Sequence, residues 1–122
     1  MSSVLDSIIN GVREDLAERK KLNPKPESEI KYATPVKNAE QALSKKNISI
    51  IAEVKRSSPS KGELAQISDP AKLAKEYENA GASVVSVLTE ERRFKGSISD
   101  FKEVRKNISI PMLRKDFIVD EY

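Results

Sequence analysis

The chain of 122 residues is 38% hydrophobic and 34% charged, which is typical of one modest globular domain that dissolves in water. It contains neither cysteine nor histidine, which excludes disulfides, zinc fingers and Ser-His or Cys-His nucleophilic pairs. The 22 basic residues are interleaved with 19 acidic ones, so the net charge of +3 favours small anionic ligands and argues against nucleic acid. Apolar runs are short and no secretory signal is recognisable, so we expect a cytoplasmic protein that does not enter membranes.

The first 46 residues are predicted to form a helical N-terminal extension. Apolar residues recur every fourth position from Val4 to Leu16, which predicts an amphipathic helix over 3–21. Its apolar stripe favours docking onto the chain's own domain over a membrane surface or a partner. Three prolines make 23–36 an irregular connector, and 37–45 is predicted to be a short second helix.

The pattern then changes to alternating strands and helices. Residues 47–56 are rich in Ile and Val and are predicted to form a strand. Asp69 followed by Pro70 is typical of a helix start, with Asp as the N-cap. The helix over 70–80 is predicted to end at Gly81, because glycine readily terminates helices.

Two further strands and one helix follow. A second strand is predicted over 82–90, and a helix over 100–106 could be capped by Ser97 or Ser99. A third strand is predicted to begin at Ile108, within the apolar stretch 108–119. The resulting order is strand, helix, strand, helix, strand.

This alternation predicts an α/β fold with parallel strands. No G-x-G-x-x-G follows the first strand, which argues against a dinucleotide fold and leaves a flavodoxin-like sheet or a (β/α)8 TIM barrel. A complete barrel needs about 250 residues, so residues 47–122 would hold its first three strands and two helices. Because the chain ends at Tyr122, soon after an apolar Phe-Ile-Val run, we expect the barrel to be incomplete.

Charged side chains lie at the ends of the first and third predicted strands. Side chains alternate along a strand, so Glu53 and Lys55 share one face, and Lys115 shares a face with Leu113 and Phe117. In parallel barrels the carboxyl ends of the strands meet the substrate. Crowded, partly desolvated lysines lose proton affinity and can act as general acids near neutral pH. The alternative is that these are exposed strand-end residues paired at the surface.

Three segments carry a family resemblance: IIAEVKRSSPSKG (50–62), AGASVVSVLTEERRFKGS (80–97) and IPMLRKDFIVDEY (110–122). In their residues, order and spacing these segments resemble the indole-3-glycerol-phosphate synthases, the tryptophan-pathway enzymes that close the indole ring. The resemblance extends from about residue 3 to the end of the chain and includes the helical extension. It implies a (β/α)8 barrel, of which this chain would be the N-terminal part.

The resemblance also implies catalytic roles for three residues. Lys115 matches the general acid that protonates the carbonyl or hydroxyl oxygen of the substrate during ring closure. Lys55 matches a second lysine, which holds anionic groups of the substrate. Some schemes also make this lysine the general acid of a later step. Glu53 matches the acidic residue that positions these amines and contacts the substrate.

Four further residues are implied to contact the substrate. Ser58 and Pro59 match the loop that closes over the mouth of the barrel, and Phe94 and Phe117 match the apolar residues that flank the aromatic ring. We expect the loop over 57–68 to be mobile, as lid-like loops are.

The implied substrate is a phosphosugar joined to anthranilate, 1-(o-carboxyphenylamino)-1-deoxyribulose 5-phosphate. The implied reaction combines condensation, decarboxylation and dehydration without a metal or organic cofactor. The family's phosphate-binding loops lie after later strands, so we expect this chain alone to be inactive. The open edge of the third strand predicts self-association or pairing with a complementing C-terminal fragment.

Two other interpretations remain open. The chain could belong to a related phosphosugar-binding barrel enzyme with another substrate, or it could be a half-barrel that serves as an assembly module. The string RSSPSKG is also typical of an ordinary Ser/Pro turn. Neither Arg92 nor Arg93 is assigned to the site, and Asp116 is expected to serve structure.

Overall fold

A computed structural model describes all residues from 1 to 122. The chain divides into two compact units, one formed by residues 1–35 with 117–122 and the other by residues 36–116. None of the helices combines the length and apolar character needed to cross a bilayer. The assignment of 1–46 and 47–122 as separate domains stays a prediction.

The first unit is built around helix α1, Val4–Leu22. Ser3 caps it through a reciprocal pair of bonds: Ser3 Oγ accepts from the Asp6 N–H at 3.1 Å, and Asp6 Oδ2 accepts from the Ser3 N–H at 2.8 Å. Basic residues fill the last turn, where the partial negative charge of the helix end favours cations. The predicted helix over 3–21 is therefore confirmed to within one residue.

The connector after α1 is not wholly irregular, contrary to the prediction for 23–36. A short helix, α2 (Glu27–Ile30), lies within it, and Pro26 stands at its N-cap with φ −64°. Proline is compatible with a helix start because its fixed φ is already helical and its missing N–H is not needed there. Pro26 thus marks where α2 begins.

The third strand is shorter than predicted, and its apolar continuation is not a strand. Strand β5 ends at Lys115, and residues 117–122 belong to the first unit. There the Tyr122 hydroxyl lies within hydrogen-bond distance of the carbonyl oxygens of Arg19 (3.1 Å) and Asn23 (2.8 Å). Both carbonyls lie at the C-terminal end of α1, where that of Arg19 also accepts from the Asn23 N–H at 3.0 Å. The segment after β5 therefore contacts the end of α1 and does not extend the strand.

The second unit contains the sheet and the helices that cover it. Its elements are α3 (Ala39–Leu43), β1 (Ile51–Val54), β2 (Ser57–Ser58), β3 (Gly62–Glu63), α4 (Pro70–Asn79), β4 (Val84–Leu88), α5 (Ile98–Asn107) and β5 (Met112–Lys115). β1, β4 and β5 form one parallel sheet in that order. The predicted alternation of parallel strands and helices is confirmed, with strands shorter at their ends than the apolar runs suggested.

The core lies between the sheet and the two long helices. Ala74 of α4 and Val104 of α5 are completely buried against Val54, Val85 and Val87. Removing such apolar surface from water is the main favourable term for folding. One face of the sheet is thereby committed to the helices.

The predicted helix caps form. Asp69 accepts from the Lys72 N–H at 3.0 Å, with Pro70 as the first helical residue of α4. Gly81 has φ +102°, a left-handed conformation that glycine adopts without steric penalty. Of the two candidate caps of α5, Ser97 fills the position and accepts from the Asp100 N–H at 3.0 Å.

A small hairpin that the sequence analysis missed follows β1. Strands β2 and β3 pair antiparallel, with Ser57 opposite Glu63 and Ser58 opposite Gly62. Gly62 has φ +66°, which permits the tight reversal. The RSSPSKG string is therefore a turn within a hairpin, and the mobility of 57–68 stays a prediction.

Arg56 ties the segment after β1 to the start of α5. Its Nη1 forms an ion pair with Asp100, and its Nε donates to the Ile67 carbonyl at 3.0 Å. Nη1 also lies 3.3 Å from the Lys95 carbonyl. The Arg56 and Asp100 side chains are only 22% and 18% exposed, so this pair is less screened than a surface ion pair.

Glu78 ties α4 to the segment that precedes β5. Its Oε2 accepts from the N–H groups of Ser109 (2.6 Å) and Ile110 (3.0 Å), while Oε1 pairs with Lys75 Nζ at 2.6 Å. The Lys75 amine and these two N–H groups hold the pKa of Glu78 below its ordinary value. The folded state is therefore stabilised when the Glu78 carboxylate is ionised.

Replacing Asp100 with Asn should lower the free energy of unfolding by about 1–3 kcal/mol, because Arg56 loses the carboxylate that pairs with it. Urea unfolding followed by circular dichroism measures this change. Glu103→Gln is the matched control on the same helix, since it removes the exposed pair with Lys106 and should cost less than about 0.5 kcal/mol. Equal stabilities for the two variants would contradict the role of the Arg56–Asp100 pair.

Replacing Glu78 with Gln should destabilise the chain at neutral pH by about 1 kcal/mol. Because the folded pKa is lowered, the stabilisation is complete above the pKa of unfolded glutamate, about 4.3. It declines as pH falls below that value and is lost below the folded pKa. Urea unfolding of the unmodified chain and of Glu78→Gln, from about pH 7 to about pH 3, should show that the difference in their free energies of unfolding shrinks in acid. A pH-independent difference, or the same loss in the exposed control Glu76→Gln, would refute this assignment.

Candidate active site

The strand register brings the predicted catalytic residues to one face and one edge of the sheet. Glu53 of β1 lies opposite Ser86 of β4, and Leu88 of β4 lies opposite Lys115 of β5. Because side chains alternate, these four lie on the face opposite the helix-packed valines. The carboxyl ends of parallel strands meet at the same edge, and Lys55 directly follows β1 there.

Glu53 is held from two sides. Its Oε1 lies 3.3 Å from Lys55 Nζ, and its Oε2 accepts from Ser86 Oγ at 2.9 Å. Lys55 and Glu53 are both partly exposed, whereas Ser86 is only 1% exposed. A buried serine hydroxyl needs a hydrogen-bond partner, and the carboxylate supplies it. The carboxylate is therefore fixed in orientation while it remains open to solvent.

Ser86 was missed by the sequence analysis. The signal was a single polar residue in the apolar run VVSVL of a completely buried strand. Such a position calls for a polar partner on a neighbouring strand, and the register makes Glu53 that partner.

Lys115 ends β5 and is exposed at the same edge. Its carbonyl accepts from the Thr89 N–H at 3.0 Å, and the Thr89 hydroxyl donates to Asp116 Oδ2 at 2.6 Å. Arg114 Nε donates to the same threonine hydroxyl at 3.1 Å. Asp116 thus connects the ends of β4 and β5 and fixes the backbone from which Lys115 projects.

Ser58 and Pro59 lie in the hairpin. Ser58 Oγ accepts from the Lys61 N–H at 3.2 Å and lies 3.5 Å from Ser60 Oγ, while Pro59 is exposed in the turn. These contacts are internal to the hairpin. The structure brings neither residue into the hydrogen-bonded group of Glu53, Lys55 and Ser86.

The two phenylalanines that are predicted to flank the substrate's aromatic ring lie in different units. Phe94 is half-buried in the loop that follows β4. Phe117 is also half-buried, and it belongs to the first unit, two residues beyond the end of β5. Its assignment to the substrate's aromatic ring stays a prediction.

Glu90 is a second residue that the sequence analysis missed. It is buried at the start of the loop that carries Phe94, and its carboxylate accepts from three backbone N–H groups of that loop. The signal was the pair Glu90–Glu91 directly after an apolar strand, but its partners are main-chain groups and leave no trace in the sequence.

The chain contains no cluster of three or more Asp or Glu side chains arranged to hold a metal ion. The groups at the sheet edge are amines, carboxylates and hydroxyls. Together they can donate protons, hold anions and orient a substrate.

Comparison with known proteins assigns the family. The family model described as indole-3-glycerol phosphate synthase matches residues 5–122. The indole-3-glycerol phosphate synthase of Saccharopolyspora erythraea is 56% identical over 122 residues, covering 98% of this chain and 45% of that protein. Indole-3-glycerol phosphate synthase 1 of Streptomyces coelicolor is 57% identical over 123 residues, covering 98% and 45%. The indole-3-glycerol phosphate synthase of Mycobacterium avium is 54% identical over 125 residues, covering 99% and 45%.

The chain therefore spans less than half the length of these relatives. Its three parallel strands with their covering helices are the N-terminal part of a (β/α)8 barrel. The match over nearly the whole chain shows that this chain belongs to the indole-3-glycerol phosphate synthase family.

Proposed function

We propose that this chain supplies the acid-base half of an indole-3-glycerol phosphate synthase site. The substrate would be 1-(o-carboxyphenylamino)-1-deoxyribulose 5-phosphate, and the reaction would be that of a carboxy-lyase in tryptophan biosynthesis. The observation that carries the proposal is the placement of Glu53, Lys55 and Lys115 on one edge of the sheet. A cytoplasmic location is proposed with it.

In this proposal Lys115 is the general acid. Ring closure joins the aromatic carbon that bears the carboxylate to the carbonyl carbon of the sugar, and the protonated amine of Lys115 gives a proton to the carbonyl oxygen. Loss of carbon dioxide then restores the aromatic ring, and loss of the hydroxyl together with a hydrogen of the neighbouring ring carbon, as water, forms the indole double bond. A positioned acid of this kind contributes about 10²–10⁴-fold to rate.

Glu53 and Lys55 would orient the substrate. Glu53 is pinned by the Ser86 hydroxyl and faces the Lys55 amine, so the amine is held where it can meet the anionic groups of the substrate. A fixed arrangement costs no reorganisation when charge develops in the transition state. Ser58, Pro59, Phe94 and Phe117 are proposed to line or cover the substrate.

The phosphate of the substrate would be held outside residues 1–122. Phosphate sites in such barrels commonly lie after strands seven and eight, and the relatives are more than twice as long as this chain. The outer edge of β5 has no neighbouring strand, and Ile51 and Leu113 are about half exposed on the face opposite the helices. We therefore propose that a complementing C-terminal segment, or failing that a second copy, pairs with this sheet.

Lys115→Ala should reduce kcat for ring closure by about 10²-fold or more, because the general acid is lost. The test protein is a chimaera in which residues 1–122 replace the aligned segment of the Saccharopolyspora erythraea synthase. Formation of indole-3-glycerol phosphate is followed by its fluorescence. Lys106→Ala, which removes an exposed lysine of α5, is the matched control and should leave the rate unchanged. Ring closure at the unmodified rate in Lys115→Ala would overturn the assignment and favour another phosphosugar substrate.

The 122-residue chain alone should form no detectable indole-3-glycerol phosphate, because it lacks the phosphate-binding end of the pocket. Adding the separately produced C-terminal segment of the Saccharopolyspora erythraea synthase should restore turnover, and size-exclusion chromatography should show the two pieces eluting together. Turnover by the purified chain alone, or a complex that stays inactive, would contradict the proposed division of the site.

A further inference from the structure

The Glu90 carboxylate is the centre of a backbone cradle. The residue is 4% exposed. Its Oε1 accepts from the Arg92 N–H at 3.1 Å, and its Oε2 accepts from the N–H groups of Arg93 (2.8 Å) and Phe94 (2.9 Å). Three successive N–H groups of the chain therefore point at a single buried carboxylate.

The same loop is closed at its far end. The Gly96 N–H donates to the Glu90 carbonyl at 2.9 Å, and the Lys95 N–H donates to the Glu91 carbonyl at 3.2 Å. Lys95 takes φ +54°, a left-handed conformation that is uncommon for a residue with a side chain. A Cβ atom on Gly96 would lie 2.0 Å from the Leu88 carbonyl oxygen, so only glycine fits there. The loop over 91–96 is thus fixed at both ends in one backbone shape.

The cradle stands at the edge of the sheet that carries the proposed acid. Glu90 follows Thr89, whose N–H is bonded to the Lys115 carbonyl. Gly96 packs against the end of β4, at Leu88, which lies opposite Lys115 in the register. Phe94 is therefore held by a rigid loop anchored next to the strand end from which Lys115 projects.

A buried charge is a costly way to close a loop. Taking a carboxylate out of water is unfavourable unless it receives several strong hydrogen bonds. The N–H groups of a surface loop could instead bond to water at little cost. Hydrogen bonds to a protein carboxylate fix the backbone conformation of the loop, and with it the position of the side chains on the loop. Hydrogen bonds to water would not do this.

We propose that Glu90 is a positioning residue that fixes Phe94 for contact with the aromatic ring of the substrate. This inference rests on the proposed function and adds a residue to it. Aromatic contacts have preferred geometries and weaken when the ring is free to move. Glu90 therefore acts on substrate affinity through Phe94, without touching the substrate itself.

A double-mutant cycle in the chimaera tests this, with Glu90→Gln, Phe94→Ala and the two combined. Gln keeps the size of the side chain but replaces one acceptor oxygen by a donor, which repels the N–H groups it faces. Glu90→Gln should raise KM about tenfold with kcat nearly unchanged. The double variant should have a KM within about twofold of that of Phe94→Ala, because the two residues act as a unit. Glu91→Gln, an exposed neighbour, is the matched control and should have no effect.

Three outcomes overturn the inference: an unchanged KM in Glu90→Gln, effects that multiply in the double variant, or a loss confined to kcat. Thermal unfolding checks that each variant is folded. If Glu90→Gln does not fold, Glu90→Asp, which keeps the charge on a shorter side chain, replaces it in the same cycle with the same expected coupling. Full ring closure in Lys115→Ala would sink the proposed function, whereas an inactive Lys115→Ala with an unchanged Glu90→Gln would sink this inference alone.

Discussion

The candidate site depends on the burial of β4 between two parallel neighbours. All five residues of this strand are buried, and its register sets which residues of β1 and β5 share a face. The valines of β4 that face α4 and α5 anchor the sheet by apolar contact, so Ser86 and Leu88 are directed to the opposite face. A shift of one residue in either neighbour would turn Glu53 or Lys115 towards the helices. Hydrophobic packing on one face of the sheet thereby determines which polar side chains lie on the other face.

The acidic side chains near the sheet ends share a structural task. Glu53 accepts from Ser86, Asp116 accepts from Thr89, and Glu90 accepts from three loop N–H groups. Each of these carboxylates joins segments that are far apart in the chain or braces the loop that follows it. In a partly desolvated setting such charge-assisted hydrogen bonds are stronger and more directional than neutral ones. Acidic residues thus form the hydrogen bonds that connect or brace the strand ends where the proposed basic residues lie.

Strand parity, together with the expectation that parallel strands end at the same edge, placed Glu53, Lys55 and Lys115 together, because a period of two is visible in the sequence. Helices α1, α4 and α5 were equally predictable, since their caps at Ser3, Asp69 and Ser97 are local signals.

Partners that are distant or belong to the main chain were not predictable. Ser86 becomes meaningful only through the register with β1, and Glu90 only through the fold of its loop. Phe117 was placed on the third strand because strand propensity and side-chain alternation are local signals. Its actual place is decided by the bonds of Tyr122 to the end of α1, about a hundred residues earlier.

In the proposed enzyme, proton transfer and phosphate binding would be supplied by different parts of the barrel. Binding energy from a group that does not react can be used to orient the part that does, so losing the phosphate contacts lowers kcat as well as affinity. Without the phosphate contacts, Glu53, Lys55 and Lys115 would keep their positions at the sheet edge but would not orient a substrate. The rigidity supplied by Ser86, Glu90 and Asp116 is useful for this reason. A preorganised half-site lets the phosphate contacts contribute fully to aligning the substrate, because none of that energy is needed to order the protein itself.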